Sequence, residues 1–81
     1  MVRVKLWGSL RSLAGGEEIV ELEAKNFKQL LDALGKKYPA LQPEIDQGIS
    51  MALDGVIYRE AWFTPISEDS EVVLMPFMEG G

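Results

Sequence analysis

The 81-residue chain ends in Gly80-Gly81, and the free carboxylate of Gly81 is the most reactive handle it offers. Cysteine and histidine are both absent. The side chains therefore supply no thiol nucleophile and no imidazole for acid–base work near neutral pH. If the protein takes part in covalent chemistry, its own C-terminus is the place for it. A double glycine suits that use: without a Cβ it adopts backbone conformations closed to other residues and threads a narrow cleft. The alternative is a terminus that is only a floppy end.

A carboxylate is a poor electrophile and a charged tail is not a catalyst, so a reactive terminus needs a fold that presents it to partner enzymes. The chain is long enough for one domain. A core of this size buries roughly 60–65% of the unfolded surface, and 47% apolar residues support a packed globule rather than disorder. Without cysteine there is no disulfide and no thiolate metal site. The carboxylates Asp32, Glu44, Asp46, Asp54 and Asp69 are scattered without calcium-loop spacing, so no metal is expected. Eight Lys and Arg against 13 Asp and Glu give a net charge of −5. That balance argues against nucleic acid and against an anionic membrane, both of which select basic surfaces. Val2 to Trp7 alternates charged and apolar residues instead of forming a signal-peptide core, and no run approaches a membrane span. A soluble cytoplasmic protein is expected.

Two-residue alternation marks Val2–Trp7 and Glu17–Ala24 as half-buried strands, with Val2, Val4, Leu6, Val20, Leu22 and Ala24 facing inward. Ala14-Gly15-Gly16 breaks the chain between them. Asn26 is a helix N-cap with Gln29 at capping-box spacing. Phe27, Leu30, Leu31, Leu34 and Tyr38 then form one helical stripe, ended by Pro39. Leu41–Gln47 has room for a short helical turn. Ile49–Leu53 is a third strand, and Asp54-Gly55 is the signature of a type I′ hairpin leading into a short strand, Val56–Arg59. Ala61–Asp69 is irregular around Pro65, Ser67–Ser70 is turn material, and Glu71–Phe77 is the last strand. The order predicts an α+β domain over residues 1–77, with a mixed sheet, one main helix on one face and the first and last strands adjacent at its centre. Residues 78–81 are a flexible tail.

Several segments resemble the ubiquitin-like β-grasp sulfur carriers, and more narrowly the small subunit of molybdopterin synthase. Leu10-Arg11-Ser12-Leu13-Ala14-Gly15 resembles that family's loop after the first strand. Leu30-Leu31-Asp32-Ala33-Leu34 through Tyr38-Pro39-Ala40-Leu41 resembles its helix and exit, and Ile49–Asp54 its third strand. Glu71-Val72-Val73-Leu74-Met75-Pro76, followed by Gly80-Gly81, resembles its last strand and tail. The chain departs from the pattern at Glu68-Asp69-Ser70, where the family often has Asp-Gly-Asp, and at Pro76-Phe77, where it often has Pro-Pro. Aspartate tolerates left-handed geometry, so the turn before the last strand is expected to form.

The resemblance implies a β-grasp fold and a sulfur-loading cycle. An E1-like enzyme, bringing ATP and magnesium, adenylates the Gly81 carboxylate, with Gly80 giving the tail access to its cleft. A sulfur-donor enzyme then displaces AMP and leaves a thiocarboxylate. In molybdopterin synthase the tail enters the large subunit and gives its sulfur to a pterin precursor. The carrier binds no cofactor of its own and is not an enzyme alone. The thiamine-pathway carriers share this chemistry. An activated terminus also suits a protein modifier that forms isopeptide bonds, and the same fold could serve as a passive interaction module.

Such a carrier also needs a docking face. If Val72 and Leu74 join Val2, Val4, Leu6, Leu30 and Leu34 in the core, then Val73, Met75 and Phe77 face outward, with Trp7 near them. Pro76 and Met78 extend that segment toward the tail, and Arg11 in the first loop can pair with an acidic group on a partner. In the alternative arrangement, Trp62 and Phe63 fold over this face and cover it.

Overall fold

The computed structural model describes residues 1–58 and 62–76. Its five strands lie in one sheet in the order β2-β1-β5-β3-β4. β1 (Val2–Leu6) pairs antiparallel with β2 (Ile19–Leu22) and parallel with β5 (Val72–Pro76). β3 (Ile49–Leu53) pairs antiparallel with both β5 and β4 (Val56–Tyr58). The first and last strands are thus central neighbours, as the order of elements predicts, and the class is α+β. Phe77 and Arg59, expected as strand ends, lie outside the described residues.

The long helix α2 (Phe27–Lys37) forms on its predicted cap. The Asn26 side chain accepts from the Gln29 N–H at 2.8 Å, and Gln29 Oε1 accepts from the Lys25 N–H at 2.9 Å, one residue earlier than in a standard capping box. The remaining first-turn donors are met from the irregular segment. Phe27 N–H donates to the Thr64 carbonyl and Lys28 N–H to the Trp62 carbonyl. A stretch without regular structure therefore satisfies the orphan donors that every helix start leaves.

One apolar layer fills the space between helix and sheet. Val2, Val4, Leu6, Val72 and Leu74 from the strands meet Phe27, Leu30 and Leu34 from α2, all fully buried or nearly so. Met51 is fully buried and Tyr58 packs against the same layer, which makes both of them packing residues.

Two short helices were not expected in full. Ser9–Leu13 forms α1, a five-residue helix too short to show a periodic stripe; its sequence trace is the pair Leu10 and Ala14, four apart and both buried. Beyond α2, a 3₁₀ turn at Pro39–Leu41 runs into α3 (Gln42–Gln47). The hairpin turn follows its sequence signal, with positive φ at both Asp54 (49°) and Gly55 (88°). The turn at Glu68-Asp69-Ser70 forms by another route than the one expected. None of its residues has positive φ; Ser70 N–H donates to the Ser67 carbonyl, and Ser67 N–H donates to Ser70 Oγ.

Candidate functional site

Because β1 and β5 are parallel neighbours, their C-terminal ends lie at the same end of the sheet. Trp7 N–H extends the pairing by one residue, donating to the Leu74 carbonyl at 3.0 Å. Pro76, the last described residue of β5, lies opposite Ile49 and has no N–H to donate to the ladder. Gly8 lies against that proline: a Cβ at Gly8 would stand 3.6 Å from Pro76 Cγ. The space is ordinary, but the backbone (φ 61°, ψ −135°) is one that other residues adopt only under strain. This turn carries the chain into α1, which packs against β5 and brings Arg11 to that end of the sheet. Arg11 is exposed and lines a small polar recess with Gly8, Ser12 and Gly16.

Opposite the helix, the sheet face is arranged in rows set by register. The row farthest from Pro76 is charged, with Arg3 opposite Glu21. The middle row crosses all five strands as Ile19, Lys5, Val73, Ala52 and Ile57. Its lysine lies 3.8 Å from Glu18, an exposed and weak pair. The row nearest Pro76 holds Trp7, Met75 and Ser50. Among the described residues, charge thus falls along the face toward Pro76, from Arg3 and Glu21 through Lys5 to the uncharged row of Trp7, Met75 and Ser50.

Exposure on this face is uneven. Trp7 (55%), Ile19 (45%) and Ile57 (59%) stand out, whereas Val73 and Met75 on the central strand are half-buried between their neighbours. Trp62 and Phe63 do not cover the face. The Trp62 carbonyl is bonded at the start of α2 and its side chain lies beside Leu31 and Ile45, on the helix side. Sequence reasoning overlooked Ile57, although the two-residue turn at Asp54-Gly55 fixes the register that sets it opposite Ala52.

Of the candidate site residues, Trp7, Val73 and Met75 share the open face, with Trp7 and Met75 in the row nearest Pro76; Pro76 alternates with Met75 to the other face, and Arg11 lies on α1 beside Gly8. Phe77, Met78, Gly80 and Gly81 lie outside the described residues. Among the described residues no cluster of carboxylates could hold a metal ion, and no helix is long and apolar enough to cross a membrane.

A five-stranded mixed sheet with parallel central strands from the two ends of the chain, grasping one helix, is the ubiquitin-like β-grasp. The sequence matches the ThiS family over residues 4–81, and the chain belongs to that family of ubiquitin-like sulfur carriers and modifiers. No curated protein matches the chain. Among solved structures it is similar to small archaeal modifier protein 1 from Haloferax volcanii, at 26% identity and a TM-score of 0.71, covering 99% of this chain and 98% of that one. A chain of the Amycolatopsis orientalis BexX/CysO complex superposes with a TM-score of 0.77 at 16% identity, with both chains fully covered. The complex of subunits 1 and 2 of the molybdopterin-converting factor from Helicobacter pylori contains a chain with a TM-score of 0.67 at 22% identity, covering 99% and 97%. The last two likenesses are of fold alone.

Proposed function

We propose that the protein is a sulfur carrier whose working group is the Gly81 carboxylate. An E1-like enzyme binds the apolar end of the open sheet face at Trp7, Val73 and Met75, with Arg11, Pro76, Phe77 and Met78 completing the contact. The carboxylate attacks the α-phosphorus of ATP, with magnesium on the phosphates, and pyrophosphate leaves. The outer sulfur of a persulfide on the donor enzyme then attacks the acyl carbon and AMP leaves; a second thiol of the donor attacks its own cysteine sulfur in the resulting acyl disulfide, which releases the thiocarboxylate and leaves the donor as a disulfide. Carriers of this family are not catalysts themselves, and a chain without cysteine or histidine suits that division of labour.

The observation that supports the reading is the fall in charge along the open face: the uncharged row of Trp7, Met75 and Ser50 adjoins Pro76, the last described residue before Gly80-Gly81. For the destination of the sulfur, we favour the large subunit of a molybdopterin synthase. The resemblance of Leu10–Gly15, Leu30–Leu41 and Glu71–Pro76 to the small subunit of that enzyme supports the choice. A second reading, conjugation to lysines of other proteins, is favoured by the somewhat higher identity to an archaeal modifier.

Intact-mass analysis after incubation with an E1-like enzyme, ATP, magnesium and a sulfur donor tests both. The carrier gains the mass of sulfur in place of one oxygen, whereas the modifier gives larger conjugates. Deleting Gly81 is expected to abolish either product without moving the thermal midpoint. A product formed by the truncated chain would overturn both readings.

A further inference from the structure

A second concave surface lies on the helix side of the molecule, across the sheet from the face just described. It is a groove of about 300 Å³ between α2 and α3, floored by Leu31 and Ile45, walled by Trp62 and rimmed by Lys28, Asp32 and Asp46. Trp62 is 51% exposed and the adjacent Phe63 77% exposed. Neither aromatic is used by the core or by the open face, and large aromatics left in water mark interaction sites more often than charged or small residues do.

The groove is held in place from three directions. The Lys28 N–H donates to the Trp62 carbonyl at 2.8 Å, which fixes the wall to the first turn of α2. Gln42 Nε2 donates to Asp46 Oδ1 at 3.0 Å along α3. Gly35 is buried where α2 meets α3, with the Gln42 side chain and Ile45 Cδ1 against it, so the two helices approach closely there.

Its chemistry selects a cation on an apolar stem. Lys28 Nζ already sits 3.0 Å from Asp32 Oδ2. The second carboxylate, Asp46, accepts only the neutral Gln42 amide among the described residues, which leaves Oδ2 free for a charged donor. A guanidinium can bind that carboxylate while its plane stacks on the indole of Trp62 and its methylenes cover Leu31 and Ile45. The net charge of −5 favours the approach of a basic segment.

We propose that this groove is a second docking site that takes an arginine-bearing segment of a partner protein. It lies on the helix side of the sheet, opposite the face that carries Trp7, Val73 and Met75, and its occupancy does not depend on any chemistry at Gly81.

The test is a two-dimensional ¹H–¹⁵N NMR titration of the full chain with the peptide acetyl-Leu-Arg-Leu-Arg-amide, using acetyl-Leu-Glu-Leu-Glu-amide as the control. The arginine peptide is expected to give saturable shifts at the Trp62 indole N–H and at the amides of Asp32, Ile45 and Asp46, with none from the glutamate peptide. Asp46→Asn and Trp62→Ala should each weaken the arginine peptide about fivefold, the scale of losing one desolvated cation–π or charged contact. Asp46→Asn is nearly isosteric and on the surface, so it keeps the test valid if Trp62→Ala unfolds. Non-saturable shifts, equal binding of the glutamate peptide, or shifts centred on β2 or on Trp7 and Met75 would overturn the proposal. Undiminished affinity in Asp46→Asn would do the same.

Discussion

On the helix-covered face of the sheet, Val2, Val4, Leu6, Val72 and Leu74 are each at most 2% exposed. On the other face the intervening residues of the same two strands run from Arg3 through Lys5 to Trp7, and from Val73 to Met75. The two sets differ by one position in sequence and by everything in environment. One set makes the fold, and its members are interchangeable as long as volume is kept. The other is graded from charged to apolar toward the tail, and the order of its members matters more than their burial. A strand alternates its side chains across the sheet, so ten residues serve both ends without either constraining the other.

The contrast is broken most severely from the core side. Leu74→Ala removes a fully buried side chain from the central strand. It is expected to cost about 2–5 kcal/mol, the usual range for such truncations in a packed core. In a domain of this size that is a large part of the total stability. Urea unfolding followed by tryptophan fluorescence should show a lower midpoint with an unchanged slope. A loss under 1 kcal/mol would mean that the layer between α2 and the sheet is not packed as described.

One residue further along, Met75→Glu should do the opposite. The side chain is half-buried on the open face, and a carboxylate there can reach water, so the stability change is expected to stay below about 1 kcal/mol. Binding to the activating enzyme should fall about tenfold or more, because the substitution puts a desolvated charge at the centre of an apolar contact. Titration calorimetry against that enzyme checks the second expectation and thermal unfolding the first. If Met75→Glu unfolds the domain as Leu74→Ala does, the separation between the two faces does not hold. If it binds like wild type, the docking face lies elsewhere.

This division was legible in the sequence where the period was clean. Val2 to Leu6 and Val72 to Leu74 alternate without interruption, and Asn26 with Gln29 announces α2 three residues into its first turn. The order of elements let the first and last strands be expected side by side at the centre of the sheet; the positions of the other strands and the parallel pairing appear only in the structure. What could not be read lay in elements too short to repeat their own period. α1 has five residues, so Leu10 and Ala14 make one contact pair and no stripe. The half-burial of Val73 and Met75 was equally hidden, since exposure on a central strand depends on flanking strands 20 and 70 positions away in the chain. Trp62 and Phe63 were legible as aromatics but not as to side, because their placement rests on two backbone carbonyls bonded to the start of α2. The apolar end of the open face was legible in outline, but its grading appears only once the register is known.

The smallest effect concerns the charged end of the same two strands. Parallel pairing sets the start of β1 beside the turn that precedes β5, and there the Met1 ammonium donates to Glu68 Oε1 at 2.8 Å, across 67 positions of sequence. The hydrogen bond to Glu68 raises the amine's pKa, and the same bond lowers that of Glu68. A carboxylate lowered on folding stabilises above its unfolded pKa and loses that contribution as pH falls through the folded value. An amine raised on folding stabilises below its unfolded pKa and loses it as pH rises through the folded value. Both conditions are met between roughly pH 5 and pH 8. Both groups are well exposed, at 58% and 81%, so solvent and salt screen the pair heavily. Glu68→Gln should therefore lower the thermal midpoint only slightly at pH 7 and low salt, and by less at pH 3, at pH 10 or in 1 M salt. A shift that stayed constant across those conditions would show that Glu68 acts through the packing of the turn rather than through its charge.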